Sequence, residues 1–305
     1  MYIYVDPQSY NNRHIAEIAL TDLPEDCILT SDWQDAGKAE IIIQGLSELS
    51  GDMIREAANL KVIIRNAVGM DNIDLKTAKE RGIPVYNLPL VNYESVAEMA
   101  LGLMIDACRF ASLSHACNRN GEERRYHRDY HGLELYGRTF GILGFGHIGV
   151  RLAEILKNAF KARVLIYDPY ISEEFAKEKG VERYEDYHDI LREADFISVH
   201  CPLTEQTRHM IDREALKLMG PQSVLVNTAR AGIVDEEALY DALRNHEIFA
   251  AALDVMETEI GNKLFTLDNF VGTSHLGGNT REARLRVGQH LREVLLREIS
   301  RIRTE

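Results

Sequence analysis

The stretch "FGILGFGHIGVRLAEIL", residues 140–156, joins an apolar strand to an amphipathic helix through a glycine-rich turn. Its glycines Gly144, Gly146 and Gly149 have the spacing GxGxxG. The first glycine allows a tight turn, the second lets a pyrophosphate approach the backbone, and the third lets helix and strand pack closely. The helix N-terminus that follows faces the phosphates. Because a strand precedes the glycines and a helix follows them, the stretch predicts a dinucleotide-binding turn.

An acid after the next strand indicates which dinucleotide is bound. Asp168 ends the run "VLIYDP", at the place where a carboxylate can accept hydrogen bonds from both hydroxyls of an adenosine ribose. A carboxylate there would repel a 2′-phosphate, so the pattern favours NAD over NADP as the cofactor. The alternative interpretation is a glycine-rich turn in an α/β protein that binds no dinucleotide.

Apolar runs recur on both sides of this turn, and charged segments with helical spacing separate most of them. The runs lie at 3–5, 40–45, 61–69, 83–89, 140–146, 163–169, 195–202, 223–229, 249–255 and 269–275. Alternating strands and helices predict parallel sheets with both faces covered. A helical segment from Glu94 to about Cys117 separates four strands from six, which predicts two domains. The last helix, 281–301, precedes no strand and could pack on either domain.

Composition limits the class of protein and its partners. The 305 residues are 45% hydrophobic and 27% charged, as in a globular protein. A net charge of −13 argues against nucleic acid or an anionic membrane as a partner. The four cysteines form no CxxC pair, which favours a reduced intracellular protein without structural zinc. Neither a signal peptide nor a membrane span is expected, so the sequence predicts a cytoplasmic protein. No metal site is predicted.

Three polar residues follow three consecutive predicted strands. Arg230 follows "SVLVNTA", Asp254 lies in "ALDVMETE" and His275 lies in "GTSHLGGNT". Ligands of open α/β sheets bind at the carboxyl ends of strands, so we expect one site. An arginine fork suits a carboxylate, and a histidine titrates in the range that a proton donor needs. A carboxylate beside the histidine would stabilise its protonated form, and Glu257 and Glu259 are both candidates.

Each of these residues alone also fits a structural interpretation. Arg230 could be a buried ion-pair partner, Asp254 a cap at a strand end and His275 a core histidine. Their coincidence at one edge, downstream of the glycine turn, favours a functional site.

Taken together, the motifs resemble those of the D-isomer-specific 2-hydroxyacid dehydrogenases over nearly the whole chain. They are "VGMDNIDL", "SVAEMALGLM", "GRTFGILGFGHIG", "HCPLTEQTRHMI", "LVNTARAGIVDEEAL", "LDVMETE" and "TSHLGG". The resemblance implies an α/β fold of two doubly wound parallel-sheet domains. A Rossmann NAD domain, 99–277, is then inserted into a flavodoxin-like substrate domain, 1–98 plus 278–305. The active site is expected in the cleft between the domains, which close about two hinge segments.

The resemblance implies NAD-dependent interconversion of a 2-oxo acid and a (R)-2-hydroxy acid. Arg230 would bind the substrate carboxylate, His275 would be the acid and base, and Glu259, selected over Glu257 by its spacing from the arginine, would support it. Asp254 would bond the nicotinamide carboxamide. The other implied cofactor-binding residues are Gly144, Gly146, His147, Ile148, Gly149, Asp168, His200, Cys201, Pro202, Thr207, Thr228, Ala229, Gly277 and Gly278. The implied substrate-binding residues are Val68 and Gly69, together with Arg65 and Gln44 at the positions where the phosphoglycerate branch carries two arginines.

The sequence departs from the family pattern at four positions. Ala231 stands where a glycine usually follows the arginine, and Met256 stands where an aromatic residue is frequent. Ile260 and Ser274 stand where prolines are usual. None of these changes removes a functional group. A catalytic role is not expected for Cys201, because valine is common at its position in the family.

Two further implications leave alternatives open. The basic stretch 115–132 fits a solvated surface, whereas the resemblance places it in an arm that wraps a second subunit and so implies a homodimer. An NAD-sensing corepressor-like module and a phosphite dehydrogenase are alternative functions on this fold, and the end of the chain at Glu305 favours the enzyme over the former. Formate dehydrogenases carry glutamine at the position of Glu259 and fit less well. The particular 2-oxo acid is not specified by the sequence.

Overall fold

The structure, a computed structural model, describes residues 1–7, 13–122, 131–258 and 262–304. The chain divides into two compact units. Unit 1 contains Met1–Asn92 and Asn279–Glu305, and unit 2 contains Tyr93–Gly278. The predicted boundaries after residues 98 and 277 therefore shift to residues 92 and 278. The larger shift arises because the helix Tyr93–Arg109 packs along its length in unit 2, against the glycine-turn helix and three strands.

Unit 1 is built on a five-stranded parallel sheet. Its strands are β1 (Tyr2–Val5), β2 (Ile28–Thr30), β3 (Ile41–Gln44), β4 (Val62–Arg65) and β5 (Val85–Tyr86), in the spatial order β2-β1-β3-β4-β5. The helices are Arg13–Ala19, Gly51–Glu56, Leu75–Glu80 and the terminal helix Arg281–Thr304, with a 3₁₀ helix at Trp33–Lys38. β3 and β4 are buried along their whole length, which explains their continuous apolar sequence.

Unit 2 is built on a seven-stranded parallel sheet. Its strands are β6 (Thr139–Leu143), β7 (Arg163–Tyr167), β8 (Glu182–Arg183), β9 (Phe196–Val199), β10 (Val224–Asn227), β11 (Ala250–Leu253) and β12 (Phe270–Gly272). The spatial order is β12-β11-β10-β9-β6-β7-β8. The chain order reverses between β6 and β9, and ligands of such sheets bind at the carboxyl ends of the strands near that point.

Helices cover both faces of this second sheet. They are Tyr93–Arg109, Ala111–Asn120, His147–Phe160, Glu173–Lys179, Tyr187–Glu193, Arg213–Leu218 and Glu236–Arg244, with a 3₁₀ helix at Lys263–Thr266. Successive residues of β10 serve opposite layers, since Val224 and Val226 pack in one apolar cluster and Leu225 in another. None of the helices in the described part of the chain has the length and apolar character that a membrane crossing requires.

The described residues form twelve strands, two more than the sequence predicts. The additional strands, β2 and β8, are short and lie at sheet edges, with partly exposed side chains. β8 has no apolar run, and the run of β2, at 27–29, is short and largely exposed. The predicted single helical segment is in fact two helices, because Phe110 adopts φ +56° between them. The terminal helix, which the strand pattern left open and the resemblance assigned to the domain of residues 1–98, belongs to unit 1.

Candidate active site

The glycine turn follows β6 and leads into the helix His147–Phe160. Gly144 has φ +94°, and a Cβ there would lie 2.5–2.8 Å from backbone atoms of His200 and Cys201. A Cβ on Gly149 would lie 2.5 Å from the carbonyl oxygen of Gly144. A Cβ on Gly146, in contrast, would meet no atom within 4 Å. The backbone therefore packs tightly beneath the turn and leaves open space at the helix N-terminus, where N–H groups can bind a phosphate.

Asp168 lies directly after β7 and is partly exposed. Its Oδ2 accepts a hydrogen bond from the backbone nitrogen of Phe145 (2.8 Å), and its Oδ1 accepts one from that of Tyr170 (2.9 Å). The carboxylate thus holds the glycine turn in place. Since a carboxylate has about four acceptor sites, it also retains capacity for two ribose hydroxyls.

Two further strand ends meet beside the glycine turn. After β9, Nε2 of His200 lies 2.8 Å from Oγ of Ser198, and its Nδ1 lies 3.4 Å from Oγ1 of Thr228. Burial lowers the pKa of His200 to about 4, so its imidazole is neutral near pH 7. Burial raises the pKa of Cys201 to about 11, so its thiol stays protonated. Neither side chain supplies a charge at the predicted cofactor site.

The other residues predicted to bind the cofactor lie in turns at the same edge or open the glycine-turn helix. His147 and Ile148 are the first two residues of that helix. Thr207 closes the loop after β9, because its Oγ1 donates a hydrogen bond to the carbonyl oxygen of Pro202 (2.6 Å). The remaining three, Ala229, Gly277 and Gly278, lie in the turns after β10 and β12.

Arg230 ends a turn that the side chain of Asn227 holds. Asn227 is the last residue of β10 and is only 1% exposed. Its Oδ1 accepts a hydrogen bond from the backbone nitrogen of Ala229, and its Nδ2 donates one to the carbonyl oxygen of Arg230, both at 2.9 Å. Nη1 of Arg230 donates to the carbonyl oxygen of Ala229 (2.7 Å). The buried strand therefore delivers a partly exposed guanidinium to the edge of the sheet.

Asp254, directly after β11, holds the turn that carries His275. Its side chain is 1% exposed. Oδ1 accepts hydrogen bonds from Oγ1 of Thr273 (2.5 Å) and the backbone nitrogen of Leu276 (2.8 Å), and Oδ2 accepts one from that of Gly277 (2.8 Å). The backbone nitrogen of His275 donates to the carbonyl oxygen of Asp254 (2.8 Å). The carboxylate therefore fixes the chain on both sides of the exposed histidine and retains about one acceptor site.

Backbone hydrogen bonds join these strand ends. The backbone nitrogen of Asp254 donates to the carbonyl oxygen of Asn227 (2.9 Å), and that of Thr273 donates to the carbonyl oxygen of Leu253 (3.0 Å). β11 pairs with both β10 and β12 in parallel register. The turns that carry Arg230 and His275 therefore lie at one edge of one sheet, on either side of Asp254.

Glu259, the predicted partner of His275, lies outside the described residues. Glu236 bonds the chain on both sides of it. Its Oε1 accepts a hydrogen bond from the backbone nitrogen of Glu257 (2.7 Å), and its Oε2 accepts one from Nδ2 of Asn262 (2.6 Å). Glu257, the other candidate, is exposed, and its Oε1 lies 4.0 Å from Nε2 of His209. The role of Glu259 stays a prediction.

Unit 1 contains the other four residues predicted to bind the substrate, besides Arg230. Gln44 ends β3 and is buried. Its Nε2 donates to the carbonyl oxygen of Ser47 and lies 3.5 Å from Oδ2 of Asp6. The amide is thus used within unit 1, and the predicted substrate contact of Gln44 finds no support in this geometry.

The other three are Arg65, which ends β4, and Val68 and Gly69 in the turn after it. Nε of the buried Arg65 donates a hydrogen bond to the carbonyl oxygen of Gly69 (2.8 Å). Nδ2 of Asn87 donates to the carbonyl oxygen of Val68 (2.7 Å). Because both carbonyl groups are held, the orientation of the neighbouring peptide planes is fixed. Substrate binding by the backbone amides of Val68 and Gly69 stays a prediction.

Several side chains that shape this edge carry no prediction from the sequence. They are Ser198, Asn227, Glu236 and Thr273. A signal existed for Asn227, because asparagine side chains commonly bond the backbone two residues ahead and so start turns. The role of Glu236 is not predictable, because it lies in the first turn of the helix Glu236–Arg244, where an acidic residue is favourable for helix stability alone.

Comparison with known proteins identifies the region that contains these turns. Residues 101–277 match the family described as "D-isomer specific 2-hydroxyacid dehydrogenase, NAD binding domain". The matched range includes the glycine turn, Asp168 and the turns of Arg230 and His275. Residues 101–277 therefore form an NAD-binding domain, with its glycine turn at the switch point of the sheet.

Longer similarities extend into unit 1. The chain is 42% identical over 266 residues to a D-3-phosphoglycerate dehydrogenase of Methanocaldococcus jannaschii, which covers 85% of this chain and 50% of that protein. It is 40% identical over 264 residues to a hydroxypyruvate reductase of Thermotoga maritima, with coverages of 85% and 84%. The crystal structure of D-lactate dehydrogenase from Aquifex aeolicus complexed with NAD and lactic acid superposes with a TM-score of 0.83 at 28% identity, covering 98% of this chain and 96% of that one. The chain thus spans about half the length of the first relative.

Proposed function

The chain belongs to the D-isomer-specific 2-hydroxyacid dehydrogenase family, and from that premise we propose that it interconverts a 2-oxo acid and a (R)-2-hydroxy acid with NADH and NAD⁺. One observation carries the proposal. In one parallel sheet, the two strands on either side of β11 end in turns that present a guanidinium, Arg230 after β10, and an imidazole, His275 after β12, in the same domain as a glycine turn. These are the groups that reduction of a 2-oxo acid requires.

The residues of the domain fit NAD. Gly146 faces open space at a helix N-terminus, and Asp168 retains acceptor sites for a ribose. The nicotinamide supplies the hydride for reduction and accepts it in oxidation. The protein must therefore bind the substrate carboxylate, polarise its carbonyl group and provide a proton.

Arg230 and His275 can perform these tasks. The planar guanidinium of Arg230 can hold a carboxylate with two hydrogen bonds and draw charge from the adjacent carbonyl oxygen. The protonated imidazole of His275 donates its proton to that oxygen in reduction and accepts it in oxidation. Asp254 fixes the turn around His275, and we propose that Glu259 stabilises the imidazolium.

A panel of 2-oxo acids tests the activity and identifies the substrate. Relatives named hydroxypyruvate reductase, glyoxylate reductase and D-3-phosphoglycerate dehydrogenase support small 2-oxo acids, with and without a phosphate, as the panel. Oxidation of NADH, followed by its absorbance, should show turnover of about 1–10³ s⁻¹ with at least one of them. NADH binding without turnover of any 2-oxo acid would contradict the proposal and favour an NAD-sensing module. Phosphite with NAD⁺ tests the remaining alternative.

Arg230→Lys distinguishes a substrate clamp from a structural arginine. Lysine keeps the charge but loses the planar fork, so the variant should fold and bind NADH normally. We expect kcat/KM for the accepted 2-oxo acid to fall about 100-fold, with effects on both kcat and KM, because the contact strengthens as charge grows on the oxygen. Steady-state kinetics beside melting with and without NADH measure this. A variant that melts early but keeps normal kinetics would show that Arg230 is structural.

We further propose that the protein is a cytoplasmic homodimer. The resemblance of residues 115–132 to a subunit-wrapping arm supports the dimer, although residues 123–130 lie outside the described part of the chain. The four free cysteines support a reducing compartment. Light scattering after size exclusion tests the dimer, since a single protein mass near 35 kDa would contradict it.

A further inference from the structure

We propose that Asn227 is a positioning residue that sets the direction of the Arg230 guanidinium, an inference that rests on the proposed function of Arg230. Both functional groups of its amide are used within the turn, one accepting from Ala229 and one donating to Arg230. The side chain therefore closes a hydrogen-bonded ring across the residues that lead to the guanidinium. A buried amide can do this only while both of its groups keep their partners.

The turn is suspended between two fixed points. At one end, Val226 is fully buried in β10, which is paired on both sides with β9 and β11. At the other end, Gly232 has φ +77°, and its carbonyl oxygen accepts a hydrogen bond from the backbone nitrogen of His209 (2.8 Å). The Asn227 amide spans the interval between them. Its loss would let the backbone at Arg230 rotate without disturbing either end.

A direct cofactor contact is the alternative role for Asn227, and the geometry disfavours it. The side chain is 1% exposed and its oxygen and nitrogen both bond the adjacent backbone. A misplacement of about 1 Å in a group that binds substrate costs up to about 100-fold in rate. The effect of Asn227 should therefore appear through Arg230, in substrate turnover, and not in NADH affinity.

Two substitutions separate the two halves of the amide. Asn227→Ala removes both hydrogen bonds. Asn227→Asp keeps the acceptor for the Ala229 nitrogen but places an oxygen opposite the carbonyl oxygen of Arg230, so it loses the second bond alone. We expect each to lower kcat/KM about 10–100-fold while the Kd of NADH changes less than about twofold.

Asn269 provides a matched control in the same unit. Its Nδ2 donates to the carbonyl oxygens of Leu243 and Phe249, each at 3.2 Å, before the start of β12 and away from the strand ends that carry the turns. Asn269→Ala thus removes an amide that bridges backbone groups without touching the Arg230 turn. It should lower the melting temperature and leave kcat and KM as in the wild type.

Hydrogen exchange measured by mass spectrometry reads the turn without relying on activity. On peptides covering residues 225–232, Asn227→Ala should accelerate exchange of the Ala229 amide about tenfold or more, whereas Asn227→Asp and Asn269→Ala should leave it protected. Unchanged exchange in Asn227→Ala would overturn the inference, whatever the enzyme's activity. Inactivity of the wild type on every 2-oxo acid would refute the proposed function and with it this role. In that case, faster exchange of the Ala229 amide in Asn227→Ala would show only that Asn227 stabilises the turn.

Combining variants tests whether Asn227 acts through the guanidinium. If it does, Asn227→Ala should cost little further in kcat/KM once Arg230 has been replaced by lysine, so the losses of the two single variants should not multiply. Multiplying losses would overturn the inference, as would wild-type kinetics in Asn227→Ala.

Discussion

Units 1 and 2 both place a buried aspartate after a parallel strand, yet the two carboxylates hold different things. In unit 1, Oδ2 of Asp6 accepts from the backbone nitrogens of Gly45 (2.9 Å) and Ser47 (3.0 Å), and Oδ1 accepts from Oγ of Ser47 (2.8 Å). In unit 2, Asp254 accepts three hydrogen bonds from the turn around His275. Burial and hydrogen bonding are alike, so neither distinguishes a structural carboxylate from one in an active site.

The difference lies in what each turn carries. The turn held by Asp6 presents Leu46, an exposed side chain that cannot titrate, whereas the turn held by Asp254 presents an exposed titratable side chain beside the turn of Arg230. A buried acid at a strand end is therefore informative only together with the side chain that its turn delivers. The following variants test that distinction.

The largest effect is expected at the group that the second turn delivers. His275→Ala should lower kcat about 10²–10⁴-fold, because the carbonyl oxygen loses its proton donor, while the Kd of NADH stays nearly unchanged. Steady-state kinetics and NADH fluorescence titration measure both quantities.

His246 is the matched control for that substitution. It is also an exposed histidine with positive φ, +55° against +52° for His275, but it follows the helix Glu236–Arg244 and precedes β11. His246→Ala should keep wild-type kcat. Most of the activity surviving in His275→Ala would mean that another group is the acid.

A smaller effect is expected from the two aspartates themselves. Asp254→Asn turns one acceptor into a donor facing an N–H group, so kcat/KM should fall about 10–100-fold as the histidine turn loosens. Asp6→Asn should reduce the free energy of unfolding by about 1–3 kcal/mol and leave kcat close to that of the wild type. Urea unfolding and kinetics on both variants make the comparison. If Asp254→Asn and Asp6→Asn lowered kcat/KM equally, the two aspartates could not be distinguished as proposed.

Asp168 is an intermediate case, since it holds a turn and also retains acceptor sites for a ligand. Asp168→Ser removes the charge that would repel a 2′-phosphate. The ratio of kcat/KM for NADH to that for NADPH should therefore fall about tenfold relative to the wild type. Kinetics with both cofactors provide the ratio, and a wild-type enzyme that uses them equally would contradict the assignment.

The smallest effect concerns His200, a half-buried histidine at a strand end that carries no charge near pH 7. Its folded-state pKa is lowered to about 4, whereas the unfolded chain titrates near 6.5. The unfolded state therefore binds the extra proton between these values, and stability falls as the pH is lowered from about 6.5 to 4. His200→Gln should reduce that loss by on the order of 1 kcal/mol, measured by urea unfolding at pH 7 and pH 4.5. A pH dependence identical to that of the wild type would refute this explanation.

The sequence predicts the parts of the site that depend on backbone form. Only glycine fits at position 144, because φ is +94° and the backbone of residues 200–201 leaves no room for a Cβ. Both requirements are visible in the sequence as a glycine in a recognisable spacing. The buried strands are likewise predictable, because covered faces need continuous apolar runs. β2 and β8 are harder to predict, since a short edge strand with exposed side chains requires no long apolar run.

The side chains that hold the turns are harder to predict. Asn227 and Asp254 act mainly through hydrogen bonds to backbone groups, and the sequence does not show which backbone groups those are. Gln44 stands at a position matched to a substrate-binding arginine, and its amide nitrogen bonds within unit 1, so its substrate contact stays a prediction. Residue type alone does not tell which way such a side chain is directed.

The left-handed backbone of His275 creates a conflict between stability and turnover at one residue. At φ +52°, glycine would relieve strain that any side chain with a Cβ imposes. A screen for thermal stability without an activity assay would therefore accept glycine at this position. It would enrich variants that lack the proposed proton donor. Under the proposed function, thermostabilisation of this protein must keep histidine at residue 275, because the more stable glycine variant would lack the proposed proton donor.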